Sequence, residues 1–376
     1  MTLPQLSRRK ALTFAASAAF AASARSAVRP AYSGSSYDNA IVIDAQGGIG
    51  DTRTLGQDFA DVRSSGLTAL SMTVGDVGNA PNRLESIIND VSQTDDWFQK
   101  YGDTIVPVRR PRDLIDAKRS RRTGLILNVQ DTAALEGDVT RISLLKSLGI
   151  RIVQLTYNKR NLCGDGCLEP GNAGLSDFGH QVVNELNQQR LLIDLSHGGA
   201  RTISEAARAS KVPVAVTHTG CRALVDNQRN LADWQMREIA DRGGVVGIYF
   251  IAYLRSGIGQ PALNARREDL IRHIEHAANV CGEDHVGLGT DNVVPALVID
   301  AEALAAQKQR YEERVREGVA TAGEGPDVFN YVMEYNTPRR FYTLANDLAA
   351  AGWPARRIDK LIGGNFARLF SDVWEP

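Results

Sequence analysis

Leu191-Leu-Ile-Asp-Leu-Ser-His197 shows the pattern that decides the fold, an apolar run of strand-forming residues that ends in a polar side chain. The pattern recurs in Val212-Pro-Val-Ala-Val-Thr-His218 and in His285-Val-Gly-Leu-Gly-Thr-Asp291. Short, continuously apolar runs are typical of strands that are buried on both faces, as in a parallel sheet covered by helices. These three segments therefore predict parallel strands with polar residues at their carboxyl ends.

Five further runs of the same kind bring the predicted strands to eight: Ala40–Asp44, Leu67–Thr73, Gly124–Gln130, Ile150–Tyr157 and Gly244–Phe250. Segments with helical periodicity separate them, which is the pattern of repeated βα units. We predict a (β/α)8 barrel of the TIM type, because about 250 residues plus insertions and a leader account for the chain length. An open doubly wound sheet is the alternative, but no Gly-x-Gly-x-x-Gly sequence follows the first strand.

Three segments outside the strands have a clear helical pattern. Asp177–Asn187 places its apolar residues on one face, and Ser176 precedes it as an N-cap. Ala305–Arg316 is polar and charged, so we expect an exposed helix there. Ile358–Phe370 is amphipathic and is interrupted by two glycines.

The polar strand ends predict the functional site. Barrel enzymes build their active sites at the carboxyl ends of the strands, where His197, His218 and Asp291 would meet. Imidazole nitrogens bind zinc at neutral pH, and a carboxylate can bind metal or take a proton from water, so this trio is typical of a metallohydrolase. For a single histidine, a satisfied core residue is the simpler interpretation. No chemistry is assigned to the other four: His180, His273, His276 and His285.

Composition excludes several kinds of partner. The 43 lysines and arginines balance 44 acidic residues, so no bulk positive charge is available to bind nucleic acid or an anionic membrane. This charge balance is compatible with a small neutral or zwitterionic ligand. The hydrophobic fraction of 43% suits a globular protein with a large core.

Residues 1–27 have the features of a twin-arginine export signal. Arg8-Arg9-Lys10 precedes a weakly apolar, alanine-rich stretch, which is too short to span a bilayer, and small residues follow at Ala22-Ser-Ala24. We expect export to the periplasm or beyond, with no stable membrane insertion after cleavage, and a single domain over residues 28–376. The alternative is a cytosolic alanine-rich helix.

The four cysteines are too few for a disulfide scaffold. Cys163 and Cys167 lie close together in a glycine-containing stretch, so a disulfide between them is open in an oxidising compartment. Cys221 and Cys281 are interpreted as isolated buried thiols.

The second half of the chain resembles the membrane (renal) dipeptidases, a metallopeptidase family with a barrel fold and a two-zinc centre. The resemblance is carried by Gly174-Leu-Ser-Asp-Phe-Gly179, Ile193–His197, Pro213–His218, Arg229-Asn230, Gly243–Gly247, Asp284–Asp291 and Gly363-Gly-Asn-Phe366. It implies that His197 and His218 bind one zinc and that Asp291 acts as the acid and base. It also implies that Arg229 binds the carboxylate of the substrate, a role that suits a guanidinium.

The chain departs from this family at the other ligands. Where the family has a His-x-Asp pair after the first strand, this chain has Gln46-Gly-Gly48, and Gln130 stands in place of the bridging glutamate. We therefore predict one zinc ion rather than two, with Asp291, Gln130 or water completing its coordination. Nearby carboxylates could substitute as ligands or support them: Asp44, Asp51 and Asp131.

Two functions follow from these observations. The first is an exported zinc-dependent hydrolase that cleaves a dipeptide or a related small amide. The second is an altered barrel that binds a small molecule or assists the maturation of an exported compound. Tyr157, Asn158 and Tyr249 lie at the ends of the fourth and seventh predicted strands and are candidates for substrate contact, although packing at the rim explains them equally well. The resemblance also leaves a homodimer open.

Overall fold

The computed structural model describes residues 32–50, 54–77, 83–255 and 264–375. Ten strands form one curled parallel sheet: β1 (Ile43–Gly48), β2 (Ala69–Thr73), β3 (Ile105–Pro107), β4 (Thr123–Val129), β5 (Ile150–Gln154), β6 (Leu192–Asp194), β7 (Ala215–Thr219), β8 (Val245–Ile248), β9 (Val286–Leu288) and β10 (Asn292–Val293). The predicted export signal lies outside the described residues, and so does Asp51.

The described helices alternate with these strands: α1 (Gly34–Asn39), α2 (Leu55–Ser65), α3 (Arg83–Lys100), α4 (Pro111–Ser120), α5 (Arg141–Ser147), α6 (Asp177–Gln189), α7 (Ala200–Ala209), α8 (Asp233–Asp241), α9 (Arg267–Cys281), α10 (Ala301–Arg316), α11 (Arg340–Ala350), α12 (Ala355–Asp359) and α13 (Asn365–Trp374). None of them is long and apolar enough to cross a membrane. The expected helices after strands 4 and 8 are confirmed as α6, which Ser176 caps, and as α10, which has no buried residue.

The sheet closes into the predicted (β/α)8 barrel. Neighbouring strands follow the order β10-β1-β2-β4-β5-β6-β7-β8-β9, and β9 and β10 are two parts of the eighth barrel strand. β10 pairs with β1 through Gly47 and Gly48, which completes the ring. The sequence pattern missed β3, a short strand that pairs with the first half of β4, where β5 does not reach.

Three predicted strands are too long by three residues at their carboxyl ends. They stop at Gln154, Asp194 and Leu288 rather than at the polar residues that follow. In two of these cases the reason is the backbone, since His197 and Asp291 have φ angles of 62° and 56°, which a strand cannot contain. The polar residues therefore lie in the turns that leave the barrel.

Helix α13 closes the opposite, amino end of the barrel. Phe366 and Phe370 are fully buried against the first layer of inward side chains, which includes the small residues Ala45 and Ala69. Gly287 leaves the space for the Phe366 ring, because a Cβ atom at this position would collide with it. Between α12 and α13 the backbone forms a π-helical turn at Lys360–Gly364, where the sequence predicted an interruption.

Candidate active site

The carboxyl ends of the strands bring the predicted trio to one edge of the barrel. His197 and Asp291 adopt left-handed backbone conformations, which are uncommon for residues with a Cβ atom and cost about 1 kcal/mol or more each. His218 instead lies within β7 and is fully buried. Backbone strain of this kind often accompanies functional sites.

The two histidines come from neighbouring strands, His197 just after β6 and His218 within β7, and their rings face each other. Their Nε2 atoms are 2.9 Å apart. His197 Nδ1 donates to the Oδ1 of Asn158 at 2.6 Å, because an amide oxygen can only accept. His218 Nδ1 donates to the hydroxyl of Thr217 at 2.8 Å, because that hydroxyl donates its own proton to Asp194.

These bonds fix both rings in the tautomer that leaves Nε2 without a proton. Burial holds the pKa of both imidazoles well below 6.5, and Arg229 lowers it further, so both rings are neutral near pH 7. Two nitrogen lone pairs then meet at 2.9 Å, which is unfavourable unless a cation or a shared proton lies between them. Two nitrogens bound to one zinc are about 3.3 Å apart, so a small spread of the rings would accommodate one ion.

The end of β1 does not provide ligands for a second ion. The Gln46 amide donates to Thr73 Oγ1 at 2.9 Å and accepts from Asn128 Nδ2 at 3.2 Å, and the Thr73 hydroxyl donates to Asn128 Oδ1 at 3.0 Å. We call this closed set of bonds the amide ring. Its three members, Gln46, Thr73 and Asn128, are neutral and are already hydrogen-bonded to one another. Gly48 has no side chain that could bind an ion.

The remaining candidate ligands are also engaged or neutral. Gln130 lines the cavity at the barrel mouth, but a neutral amide is a weak ligand beside a carboxylate. Asp131 pairs with Arg83 at 2.5 Å. Among the residues that the structure describes, no group of three histidine, cysteine, aspartate or glutamate side chains could hold a metal ion. The described residues therefore do not fit a two-zinc centre and offer two ligands to a single ion.

Two buried carboxylates hold the rim of the barrel. Asp44 accepts from the backbone and the hydroxyl of Thr290, at 2.8 and 2.6 Å. Asp194 accepts from the backbone and the hydroxyl of Thr217, at 3.0 and 2.6 Å. We call these pairs the carboxylate clamps, since each joins the end of one strand to the next. Asp44 thus supports the site rather than facing the cavity.

Arg229 is a buried cation beside the histidines. Its guanidinium donates to the carbonyl oxygen of His218 at 3.4 Å and lies 5.8 Å from the centre of the Tyr249 ring. No carboxylate of the described residues is within ion-pair distance of it. Tyr249 is fully buried and its hydroxyl donates to Asn230, so it supports Arg229 instead of contacting a ligand directly.

A cavity of about 310 Å³ opens at the barrel mouth and is lined by His197, Arg229 and Asp291. Tyr157 also lines it and stacks on His197, with ring centres 4.3 Å apart. Burial raises the pKa of Asp291, while three nearby arginines oppose the shift. The cavity thus combines a buried carboxyl, one neutral imidazole and the guanidinium of Arg229.

Sequence reasoning missed two further arginines of this cavity. Arg310 and Arg314 lie four residues apart on α10 and both line the mouth. Arg314 forms a two-bond ion pair with Glu324, at 2.6 and 2.9 Å. Both arginines stand in a segment that the sequence shows to be a polar, charged helix. The sequence alone does not tell which face of that helix turns to the barrel.

The other histidines and cysteines have structural roles. His273 is buried and accepts from the backbone of Cys221, while His285 bonds to the Gly244 carbonyl at the amino end of the barrel. His180 is exposed on α6. Cys163 and Cys167 are free thiols in the structure, so the disulfide that the sequence left open is not formed.

Curated proteins resemble this chain at moderate identity. An uncharacterized protein in the pqqA 5' region of Klebsiella pneumoniae is 27% identical over 70% of this chain and 87% of its own length. Dipeptidase tcpJ of Claviceps purpurea is 27% identical over 62% of this chain. The chain spans about half the length of this and other fungal dipeptidases, 56% in the case of tcpJ.

Solved structures share the whole fold. An amidohydrolase from Pseudomonas aeruginosa is 31% identical, with a TM-score of 0.78 over 90% of this chain and 98% of its own. The probable dipeptidase PvdM from the same organism matches with a TM-score of 0.72 over 90% and 97% of the two chains, and at 18% identity it supports the fold alone. The model of the membrane dipeptidase family, peptidase family M19, matches residues 49–303. The chain therefore belongs to this family of dipeptidase-like hydrolases.

Proposed function

We propose that this chain hydrolyses a dipeptide, or a related small amide with a free carboxylate, in the cavity at the barrel mouth. The observation that carries the proposal is the buried Arg229 guanidinium, which faces the same cavity as His197 and Asp291 and has no carboxylate partner among the described residues. An unpaired buried cation is costly, and a ligand carboxylate would pair with it through two hydrogen bonds. Family membership supports the reaction class.

We further propose that the site holds one zinc ion rather than two. The support is the facing pair of unprotonated Nε2 atoms on His197 and His218, each oriented by a bond to its Nδ1. Bound there, zinc would supply Lewis acidity towards the amide carbonyl. The amide ring occupies the position where the resemblance would place ligands of the other ion.

Asp291 is the group that accepts a proton during hydrolysis and passes it on to the amine. Its pKa is raised by burial, so the carboxylate takes up a proton more readily than an exposed aspartate does. It lines the same cavity as Arg229, which would hold the carboxylate end of the ligand and direct the amide towards Asp291. A water molecule would supply that proton to Asp291 and its oxygen would form the new C–O bond to the amide carbon, and the same carboxyl would pass the proton to the amine nitrogen as the C–N bond breaks.

A second candidate is an altered barrel that binds a small carboxylate compound without hydrolysing it, or assists its maturation. The observation that favours it is the amide ring, since Gln46, Thr73 and Asn128 satisfy one another and supply no charge to the reaction. Both candidates use Arg229 as the anchor. They differ in whether an amide bond is cleaved.

Metal analysis and a panel of L,L- and L,D-dipeptides distinguish the two. We expect one zinc per purified chain and turnover of at least one dipeptide. His197→Gln should lose the zinc and the turnover, whereas His285→Gln, at the opposite end of the barrel, should keep both. Arg229→Gln should weaken ligand binding by about 10- to 100-fold, whereas Arg237→Gln on α8 should not.

Each outcome bears on a different part of the proposal. Two zinc ions per chain would overturn the single-ion site. Ligand binding that depends on Arg229 without any turnover would select the second candidate. Turnover that is unchanged in His197→Gln would refute the assignment of the site.

We also propose that the chain is exported through residues 1–27, on the support of Arg8-Arg9 and the alanine-rich stretch that follows. Replacing both arginines by lysine should leave the chain in the cytoplasm of a producing bacterium. Fractionation of cells with the wild-type and variant chains measures this, and periplasmic recovery of the variant would contradict the proposal.

A further inference from the structure

We propose that the ligand of the mouth cavity carries a second negative charge, which Arg310 of α10 recognises, so that the substrate class is an acidic dipeptide or an equivalent dianion. The inference rests on the proposed function, since Arg229 anchors the first carboxylate. Arg310 lines the mouth cavity together with Arg229 and Asp291 but comes from a different part of the chain. It therefore offers a second guanidinium in the same cavity.

The charges of the cavity do not balance. Arg314 is neutralised by its two bonds to Glu324, which also accepts from the hydroxyl of Tyr253. Arg229 and Arg310 have no ion-pair partner in the part of the chain that the structure describes. Asp291 is a single carboxyl, so it can offset only one of these two charges. The cavity therefore has an excess of positive charge, which a ligand with two anionic groups would compensate.

The shape of the site places Arg310 where a side chain of the ligand would reach. A second cavity of about 460 Å³ lies along α10, and five residues line both cavities: Val293, Arg310, Arg314, Asn330 and Tyr331. Arg310 thus stands between the mouth, where the amide would lie, and the space beside the helix. A ligand that extends from the mouth towards α10 would place its second anion at this guanidinium.

Calorimetric titration with two non-hydrolysable ligands tests the inference. The ketomethylene isosteres of L-Ala-L-Glu and L-Ala-L-Gln have nearly the same shape and differ by one negative charge. We expect the glutamate ligand to bind about 2- to 5-fold more tightly, as for an exposed charge pair. The preference should fall as salt is raised, because Arg310 is exposed to solvent.

Two variants of α10 provide the matched comparison. Arg310→Gln should remove the preference for the glutamate ligand and leave the affinity for the glutamine ligand unchanged. Lys308→Gln removes the same charge from the same helix at a residue that does not line the mouth cavity, so the preference should remain.

The outcomes separate this inference from the proposed function. Equal affinity for both ligands, or an equal loss of both in Arg310→Gln, overturns the acidic substrate class alone. Binding of neither ligand refutes the proposed dipeptide site and this inference with it. An affinity for the glutamine ligand that is unchanged in Arg229→Gln refutes the first anchor.

Discussion

Replacing Thr217 by valine should destabilise the protein by about 3 kcal/mol, although the two side chains have nearly the same volume. The Thr217 hydroxyl donates to the buried Asp194 carboxylate at 2.6 Å and accepts from His218 Nδ1 at 2.8 Å. A buried hydrogen bond to a charged group contributes about 1.5–3 kcal/mol, and an unpaired buried donor costs about 1–3 kcal/mol. Asp194 keeps its bonds from Ser196, which limits the loss.

Urea unfolding measures this cost, with an unchanged dependence on urea concentration as evidence that the folded state is intact. Thr219→Val on the same strand is the control, because the Thr219 hydroxyl donates to an uncharged acceptor, the backbone carbonyl oxygen of Arg229. We expect this variant to lose about 1 kcal/mol of the free energy of unfolding. In addition, ¹⁵N chemical shifts of the His218 ring should show that Thr217→Val loses the Nδ1-protonated tautomer. Equal costs for the two variants with an unchanged tautomer would refute the hydrogen-bond reasoning.

Two further predictions concern pH and metal content. Burial lowers the pKa of His273 to about 3, so the unfolded chain binds a proton that the folded chain does not between pH 6.5 and 3. His273 should therefore contribute a fall of up to about 1.4 kcal/mol per pH unit in the free energy of unfolding as the pH drops through this range, and His273→Gln should show a shallower fall in urea titrations at pH 7, 6 and 5. The triple variant Gln46→His, Gly48→Asp, Gln130→Glu should gain a second zinc by elemental analysis, since a Cβ atom at Gly48 meets only Val293 Cγ1 at 3.3 Å. A zinc content equal to that of the wild type would contradict the role assigned to these three positions.

The strand pattern predicted the barrel because burial on both faces leaves a clear apolar run. The runs around Ile126, Val216 and Val246 each correspond to a barrel strand. β3 escaped prediction because it has only three residues and one strand partner. Strand ends were placed too late because a turn residue such as His197 is distinguished by its φ angle, which no residue type reveals.

The sequence predicted the site residues that stand at the end of an apolar run. It missed the residues that orient other side chains of the site through hydrogen bonds. His197, His218 and Asp291 end apolar runs, so their positions followed from the fold. Thr217 and Asn128 had no such signal, since their roles depend on which polar groups the closed barrel places within hydrogen-bond distance. The orientation of α10 was also beyond sequence reasoning, because its exposed and cavity-facing sides are both polar.

The carboxylate clamps have a consequence for how this site could change over evolutionary time. In a site whose shape depends on its metal ions, a mutation that removes a ligand also loosens the surrounding turns, so few such mutations survive. Here Asp44 and Asp194 hold the turns at Thr290 and Thr217 through bonds that involve no metal. The form of these turns therefore does not depend on which side chains stand at Gln46, Gly48 and Gln130. Successive substitutions at the barrel mouth could therefore change the reaction while each intermediate variant still folds.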